Sequence, residues 1–217
     1  MGKKRDKAEK TRAKILAAAA DVLACRGFNL SSLEEIAQRA GVTRGAVHWH
    51  FENKASMLAA LLDDVLLPLE SLRAGSNFDD DCDRLAEAVM ETVRNPIFGP
   101  IAKILVWHPH PTPDQACIAR KVDNIRRSLA DYADPTVAST NDGDGEESVD
   151  SRLLYMSVQV LIAELLDGSL EKKDVHPLLR IFLFISRNRP TGELGNHKLH
   201  GRSTSNRRTA APAQALL

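Results

Sequence analysis

The sequence predicts an all-α protein, with an N-terminal three-helix helix-turn-helix domain followed by a larger C-terminal helical domain. Two observations predict the class and a third predicts the division of labour. Apolar residues recur at three- and four-residue spacing along almost the whole chain, and no alternating apolar/polar run competes with them. Gly, Pro and capping residues punctuate that pattern where helices must start and stop. The 217-residue chain is formally neutral, yet residues 1–60 carry a net +5, residues 61–186 a net −10 and residues 187–217 a net +5. A basic head on an acidic body predicts that the head alone meets a polyanion.

Each element follows from local chemistry. The first helix spans about 8–26, with Ile15, Ala19, Val22 and Leu23 on one face and Gly27 as its stop. "SSLEEIAQRAG" then offers a Ser cap with Glu three residues later, in either of two registers, which predicts a reciprocal capping box. Leu33, Ile36 and Ala37 point inward, and Gly41 ends this helix after two turns. Thr43 caps a third helix of similar length, ending near Phe51. A fourth begins around Asn53 and carries Met57, Leu58, Leu61, Leu62, Val65 and Leu66 towards Leu72.

The small, acidic stretch 74–81 reads as the seam between domains. A helix over about 83–94 follows, then one starting at Asn95-Pro96 or Gly99-Pro100 and running to Trp107, since Pro suits a first helical turn. "HPHPTP" at 108–113 breaks the pattern. Thr112-Pro113-Asp114 opens the next helix, with Ile118, Val122, Ile125, Leu129 and Tyr132 inward. Residues 134–149 read as an acidic, turn-rich loop. Two helices close the fold at about 150–167 and 176–187, and 188–217 reads as a disordered basic tail.

Several function classes are excluded. No stretch approaches the roughly 20 apolar residues of a membrane span, and the basic N-terminus lacks the apolar core of a signal peptide. Cys25, Cys82 and Cys117 form neither a metal knuckle nor a disulfide framework, so a cytoplasmic location is expected. His48 and His50 lie about 200° apart on a helix and cannot share a metal ion. His108 and His110 flank Pro109 with no third ligand nearby in sequence. With no nucleophile elbow and no catalytic cluster, neither an enzyme nor a cofactor is expected.

The stretch "GVTRGAVHWHFENK" (41–54) carries the sharpest signal. His48, Trp49 and His50 are adjacent, so at least two of the three rings must leave the buried face of their helix. In a helix-turn-helix the second helix enters the DNA major groove: its first residues touch base edges, and rings further along pack on sugar-phosphate and thymine methyls. Gly45 and Ala46 keep one side flat, Ser32 and Thr43 offer hydroxyls to phosphates, and Lys54 stands at a helix start where ammonium and helix terminus would jointly hold a phosphate.

"TRAKILAAAADVLACRGFNLSSLEEIAQRAGVTRGAVHWHFENKASML" resembles the DNA-binding domain of TetR-family transcriptional repressors. "AGVTRGA" and "WHFENK" are most similar to the AcrR-like branch of multidrug-efflux repressors. The resemblance covers 9–69, with the helix-turn-helix motif at about 32–51. It implies DNA contacts at Ser32, Thr43, Arg44, Gly45, His48, Trp49, His50 and Lys54. His48 departs from the Tyr usual at that place in the family, which makes DNA binding pH-sensitive if its charge matters. The resemblance further implies a homodimer whose C-terminal domain, here 76–187, binds a ligand that releases double-stranded operator DNA.

Pocket candidates in that domain are Met90, Phe98, Ile104, Trp107, Met156, Gln159 and Glu164, because rings and thioethers suit an apolar site and a polar group orients its occupant. "LLRIFLFI" (178–185) is apolar at seven of eight positions, and the helix before it carries Leu153, Leu154, Val158, Leu161 and Leu165. Such surplus apolar surface on the last two helices predicts a four-helix subunit interface. The expected function is a ligand-responsive dimeric repressor on a palindromic operator, controlling a multidrug-efflux operon and released by a hydrophobic small molecule. The alternatives are a dimeric DNA-binding regulator without small-molecule input, and a helical enzyme.

Overall fold

A computed structural model of the chain describes residues 2–75, 77–108, 112–133 and 149–188; His110, the acidic stretch 134–148 and the tail 189–217 lie outside them. Among the described residues the secondary structure is entirely helical. The order is α1 (Gly2–Leu30), α2 (Leu33–Ala40), α3 (Arg44–His50), α4 (Lys54–Asp63), α5 (Phe78–Arg94), α6 (Phe98–Trp107), α7 (Ala116–Ala133), α8 (Val149–Asp167) and α9 (Lys172–Arg187). No helix among these residues is long and apolar enough to cross a membrane.

The boundaries show where local signals are overridden. Gly27 does interrupt α1, at a left-handed φ of 76°, but a further turn follows to Leu30 because Phe28 is buried and held from both sides. α4 stops at Asp63 instead of reaching Leu72. Pro68 opens a separate 3-10 turn, Pro68–Glu70, where the missing N–H costs nothing. α5 starts at Phe78, earlier than expected: Asn77 caps it through Asp80 N, and Asp79, Asp80 and Asp81 fill a first turn whose dipole favours negative charge. The acidic seam is thus partly a helix start. α9 likewise begins a turn early, so Pro177 lies inside it.

One apolar core runs through both halves. Ile15, Leu23, Ile36, Val47, Met57 and Leu58 close the N-terminal bundle, while Leu85, Ile101, Ile118, Leu129, Leu154 and Leu179 fill the C-terminal one. α1 packs along α6, and α4 along α7.

The stretch between α4 and α5 is clamped by α7. Arg120 pairs with Asp63 at 2.7 Å, and Ser128 Oγ donates to the Leu72 carbonyl at 3.2 Å. Between them, Lys121 donates to the Val65 carbonyl and pairs with Glu70 at 2.5 Å, with the two side chains only 8% and 3% exposed. Glu70 also accepts from Leu67 N at 2.8 Å and from Asn124 at 3.2 Å. Two buried charges are tolerated there because each is paired and hydrogen-bonded. A second knot ties α9 down: buried Asp81 accepts from Gly75 N and pairs with Arg187 at 2.7 Å, and Tyr132 OH donates to the Asp81 carbonyl.

Candidate nucleic-acid interface and C-terminal cavity

The helix-turn-helix is built by three caps. Ser32 Oγ accepts from Glu35 N at 3.2 Å and starts α2. The expected reciprocal capping box is not formed, because the Glu35 carboxylate turns to Arg26 at 2.9 Å, while Ser31 Oγ donates to the Phe28 carbonyl. Gly41 then adopts φ 66°, and its N–H reaches the Ala37 and Gln38 carbonyls. This left-handed residue turns the chain within two residues, a conformation glycine reaches without a Cβ penalty. Thr43 Oγ1 accepts from Ala46 N at 3.2 Å and starts α3. Both cap hydroxyls keep a proton free to donate outward.

α3 turns one face inward through Val47, followed by buried Phe51. Thr43, Arg44, Gly45, His48 and Trp49 form the opposite, exposed face, and Trp49 is 73% exposed. A Cβ on Gly45 would meet only Thr43 Oγ1, at 3.9 Å, so nothing inside the protein requires glycine there. Arg44 Nε donates to His48 Nε2 at 3.5 Å, and its Nη1 lies 3.7 Å from Glu34. His50 differs from its neighbours. Half-buried, it meets Trp49 edge-on at 4.5 Å, and desolvation, then the nearby Arg12 charge, push its imidazole below the usual histidine range.

Lys54 corrects the sequence reading. Its ammonium turns back into the domain, donating to the Phe28 and Ser31 carbonyls and lying 4.5 Å over the Phe28 ring. Burial pushes its pKa below the ordinary lysine value. Asn53 and Ser56, through a reciprocal capping box, occupy the start of α4. Lys54 therefore fastens the end of α1 to α4 instead of presenting an open phosphate site.

In the C-terminal half the seven predicted pocket residues do not converge. Gln159 alone among them lines a small cavity of about 30 Å3, room for one water, walled by Leu67, Leu69, Val122, Ile125, Tyr155 and Val158 among others. Gln159 and Met156 line a larger cleft beside it, about 280 Å3. Met90, Phe98, Ile104, Trp107 and Glu164 line neither. Ile104 is core, Trp107 is exposed beneath Lys103, and Glu164 faces solvent, so it needs no buried partner. Periodicity identifies the inward face of a helix, but not which neighbour that face meets.

The structure gives roles that the sequence did not assign. Leu67 and Leu69 bring the stretch between α4 and α5 into the cavity wall. His108 ends α6, its Nδ1 2.8 Å from the Ile104 carbonyl and its Nε2 accepting from Phe28 N at 3.3 Å. Because Nε2 accepts, the imidazole is the neutral Nδ1–H tautomer in this arrangement. It is a latch between the two halves, not a loop ligand.

Residues 15–61 match the model of the tetR family of bacterial regulatory proteins. The chain is 42% identical over 81 residues to the HTH-type transcriptional regulator TtgR of Pseudomonas putida, a match covering 37% of this chain and 39% of TtgR. To TtgW of the same species, another HTH-type transcriptional regulator, it is 34% identical over 101 residues, 46% of this chain and 75% of that protein. The sequence match thus spans well under half the length of TtgR. The fold likeness is broader: NalD, the secondary repressor of the MexAB-OprM multidrug efflux pump in Pseudomonas aeruginosa, superposes with a TM-score of 0.63 at 28% identity, over 82% of this chain and 95% of NalD. The chain belongs to the TetR family of helix-turn-helix transcriptional regulators.

Proposed function

We propose that this chain is a homodimeric repressor that binds a palindromic operator of a multidrug-efflux operon and is released by a hydrophobic small molecule. The reading treats 9–69 as the DNA-binding unit and 76–187 as the effector and dimerisation unit. The observation that carries it is the outward face of α3, where Arg44, Gly45, His48 and Trp49 lie bare beside the capping hydroxyl of Thr43. Arg44 is suited to guanine edges, Trp49 to thymine methyls or sugar, and the Ser32 and Thr43 hydroxyls to phosphates. A flat Gly45 that the protein itself does not need suits close approach of a partner.

Dimerisation is supported by the apolar residues left bare on the last two helices: Val149, Met156 and Val160 on α8, Ile181, Phe184 and Ile185 on α9. In a symmetric dimer such a face is covered by its own copy, and the two α3 helices reach successive major grooves when about 34–36 Å apart. Release is supported by the position of the cavity. Leu67 and Leu69 form part of its wall, and α7, which supplies Val122 and Ile125, grips the same linker through Lys121 and Asn124. An occupant that widens the cavity bears on the linker and so on α4 and α3. It favours the conformer in which the two α3 helices lose their spacing, a population shift requiring only differential affinity.

A second reading, a dimeric regulator without small-molecule input, is favoured by the small volume of the cavity beside the linker. A gel shift on DNA flanking the gene, with and without hydrophobic drugs, tests the proposal. Specific retardation abolished by a compound supports it; retardation that no compound alters leaves the second reading; no retardation refutes both.

A further inference from the structure

We infer that the N-terminal arm of α1, residues 2–14, is a second DNA-contacting element, lying along the phosphate backbone beside the recognition helix and supplying most of the charge attraction. This rests on the DNA-binding reading proposed above and says which part of the head meets phosphate. Residues 1–14 hold seven Lys and Arg against Asp6 and Glu9, a net +5, whereas residues 15–60 hold four of each sign and are neutral. The helix-turn-helix and its neighbours thus contribute none of the net charge of the head.

The four cations after residue 14 are also largely engaged. Arg26 pairs with Glu35 at 2.9 Å, Arg39 with Asp21 at 2.8 Å, and Lys54 turns inward to the Phe28 and Ser31 carbonyls. That leaves Arg44 to the outward face of α3. A duplex carries a phosphate charge every ~1.7 Å of its axis, so more cations than one are needed to hold it.

The arm supplies them. None of residues 5–14 is buried, and Ile15 is the first core residue of α1. The first turn has no acidic residue, and its Lys3, Lys4 and Arg5 oppose the helix dipole, so local helix stability does not account for the basic composition. Lys7, Lys10 and Lys14 fall within about 60° of one another around the helix, a single stripe. Among the described residues none of the three is ion-paired.

Placement agrees with charge. Asp21, two turns beyond Lys14 on the same stripe, pairs with Arg39 of α2, so the lysines continue the α1 face that carries the helix-turn-helix. On the adjoining side Arg12 pairs with Asp64 at 2.5 Å and lies 5.8 Å from the centre of the Phe51 ring, which brings the arm out beside the end of α3. Residues 2–8 run roughly 10 Å beyond the groove that Glu9 and Arg12 line with Asp64.

Fluorescence anisotropy over a series of salt concentrations tests the inference, on a duplex taken from the DNA flanking the gene and on a scrambled duplex of equal length. The proteins are wild type, Lys7→Gln/Lys10→Gln/Lys14→Gln, and Lys172→Gln/Lys173→Gln on α9 as a charge control. Gln keeps the helix propensity, and thermal unfolding of the arm variant should match wild type because no buried or paired group is lost. Each phosphate contact contributes about 0.9 to the slope of log affinity against log salt, so the arm variant's slope should shrink by at least about two units on both duplexes. At ~150 mM salt its affinity should fall at least about tenfold on both, leaving any preference for the flanking duplex intact. The α9 control should match wild type. An unchanged slope in the arm variant, an equal loss in the control, or failure of wild type to bind either duplex would each overturn the inference. If wild type binds the two duplexes equally and the slope still shrinks in the arm variant, the arm stands and the operator reading falls.

Discussion

Replacing Lys121 by Met removes one half of the only ion pair with both side chains under 10% exposed among those described, and its cost follows from what remains. Glu70 would stay buried at 3% exposure, holding Leu67 N and Asn124 but no cation. The Val65 carbonyl would lose its donor as well. Removing one member of a buried pair costs about 3–5 kcal/mol, because the surviving charge is left desolvated. For a chain of this size that lowers Tm by roughly 6–20 °C. Glu70→Leu alone should cost a similar amount, leaving the Lys121 ammonium and Leu67 N short of acceptors. The double variant Lys121→Met/Glu70→Leu should be less destabilised than the sum of the singles by at least about 2 kcal/mol, since no buried charge then remains. Urea unfolding followed by circular dichroism, at one fixed protein concentration because a dimer is expected, measures all four states. If the two singles simply add, or either costs under about 1 kcal/mol, the pair is wet in solution and does not clamp the stretch between α4 and α5.

Five further outcomes are expected. Arg44→Ala should relax base preference at one operator position, read by binding to a panel of single-base operator variants; Lys54→Ala should instead lower thermal stability, because it frees two carbonyls, with little change in salt slope. His108→Ala should speed hydrogen exchange at the Phe28 amide, which loses its acceptor, and an unchanged rate would deny the latch. Val160→Glu combined with Ile181→Glu should yield a monomer in sedimentation without loss of helicity, since both positions are exposed within one chain. Finally, His50 has a folded-state pKa below its unfolded value, through burial and Arg12. The unfolded chain therefore binds more protons just below pH ~6.5, so this group's contribution is complete above that pH and is lost as pH falls towards the folded value. His50→Gln should flatten that part of the stability–pH curve, and an unaltered slope would contradict the assignment.

Features that depend on neighbours along the chain are legible without the fold. Thr43 and Gly41 define the turn and the start of α3 because caps and left-handed residues are local chemistry. The adjacency of His48, Trp49 and His50 forces rings outward because helical neighbours diverge by 100°, and the bare apolar surface of α8 and α9 is legible as a surplus over one buried face. Tertiary structure decided whatever depends on partners distant in sequence. Lys54 reads as a phosphate ligand from its helix-start position, yet the Phe28 and Ser31 carbonyls, more than 20 residues earlier, claim its ammonium. Glu70 and Lys121 look like two surface charges until α7 lies across the linker and removes both from water. The predicted pocket failed for the same reason. Ile104 and Met90 are apolar on the correct faces, but the cavity lies where α6, α7, α8 and the linker meet, and periodicity carries no information about that meeting point.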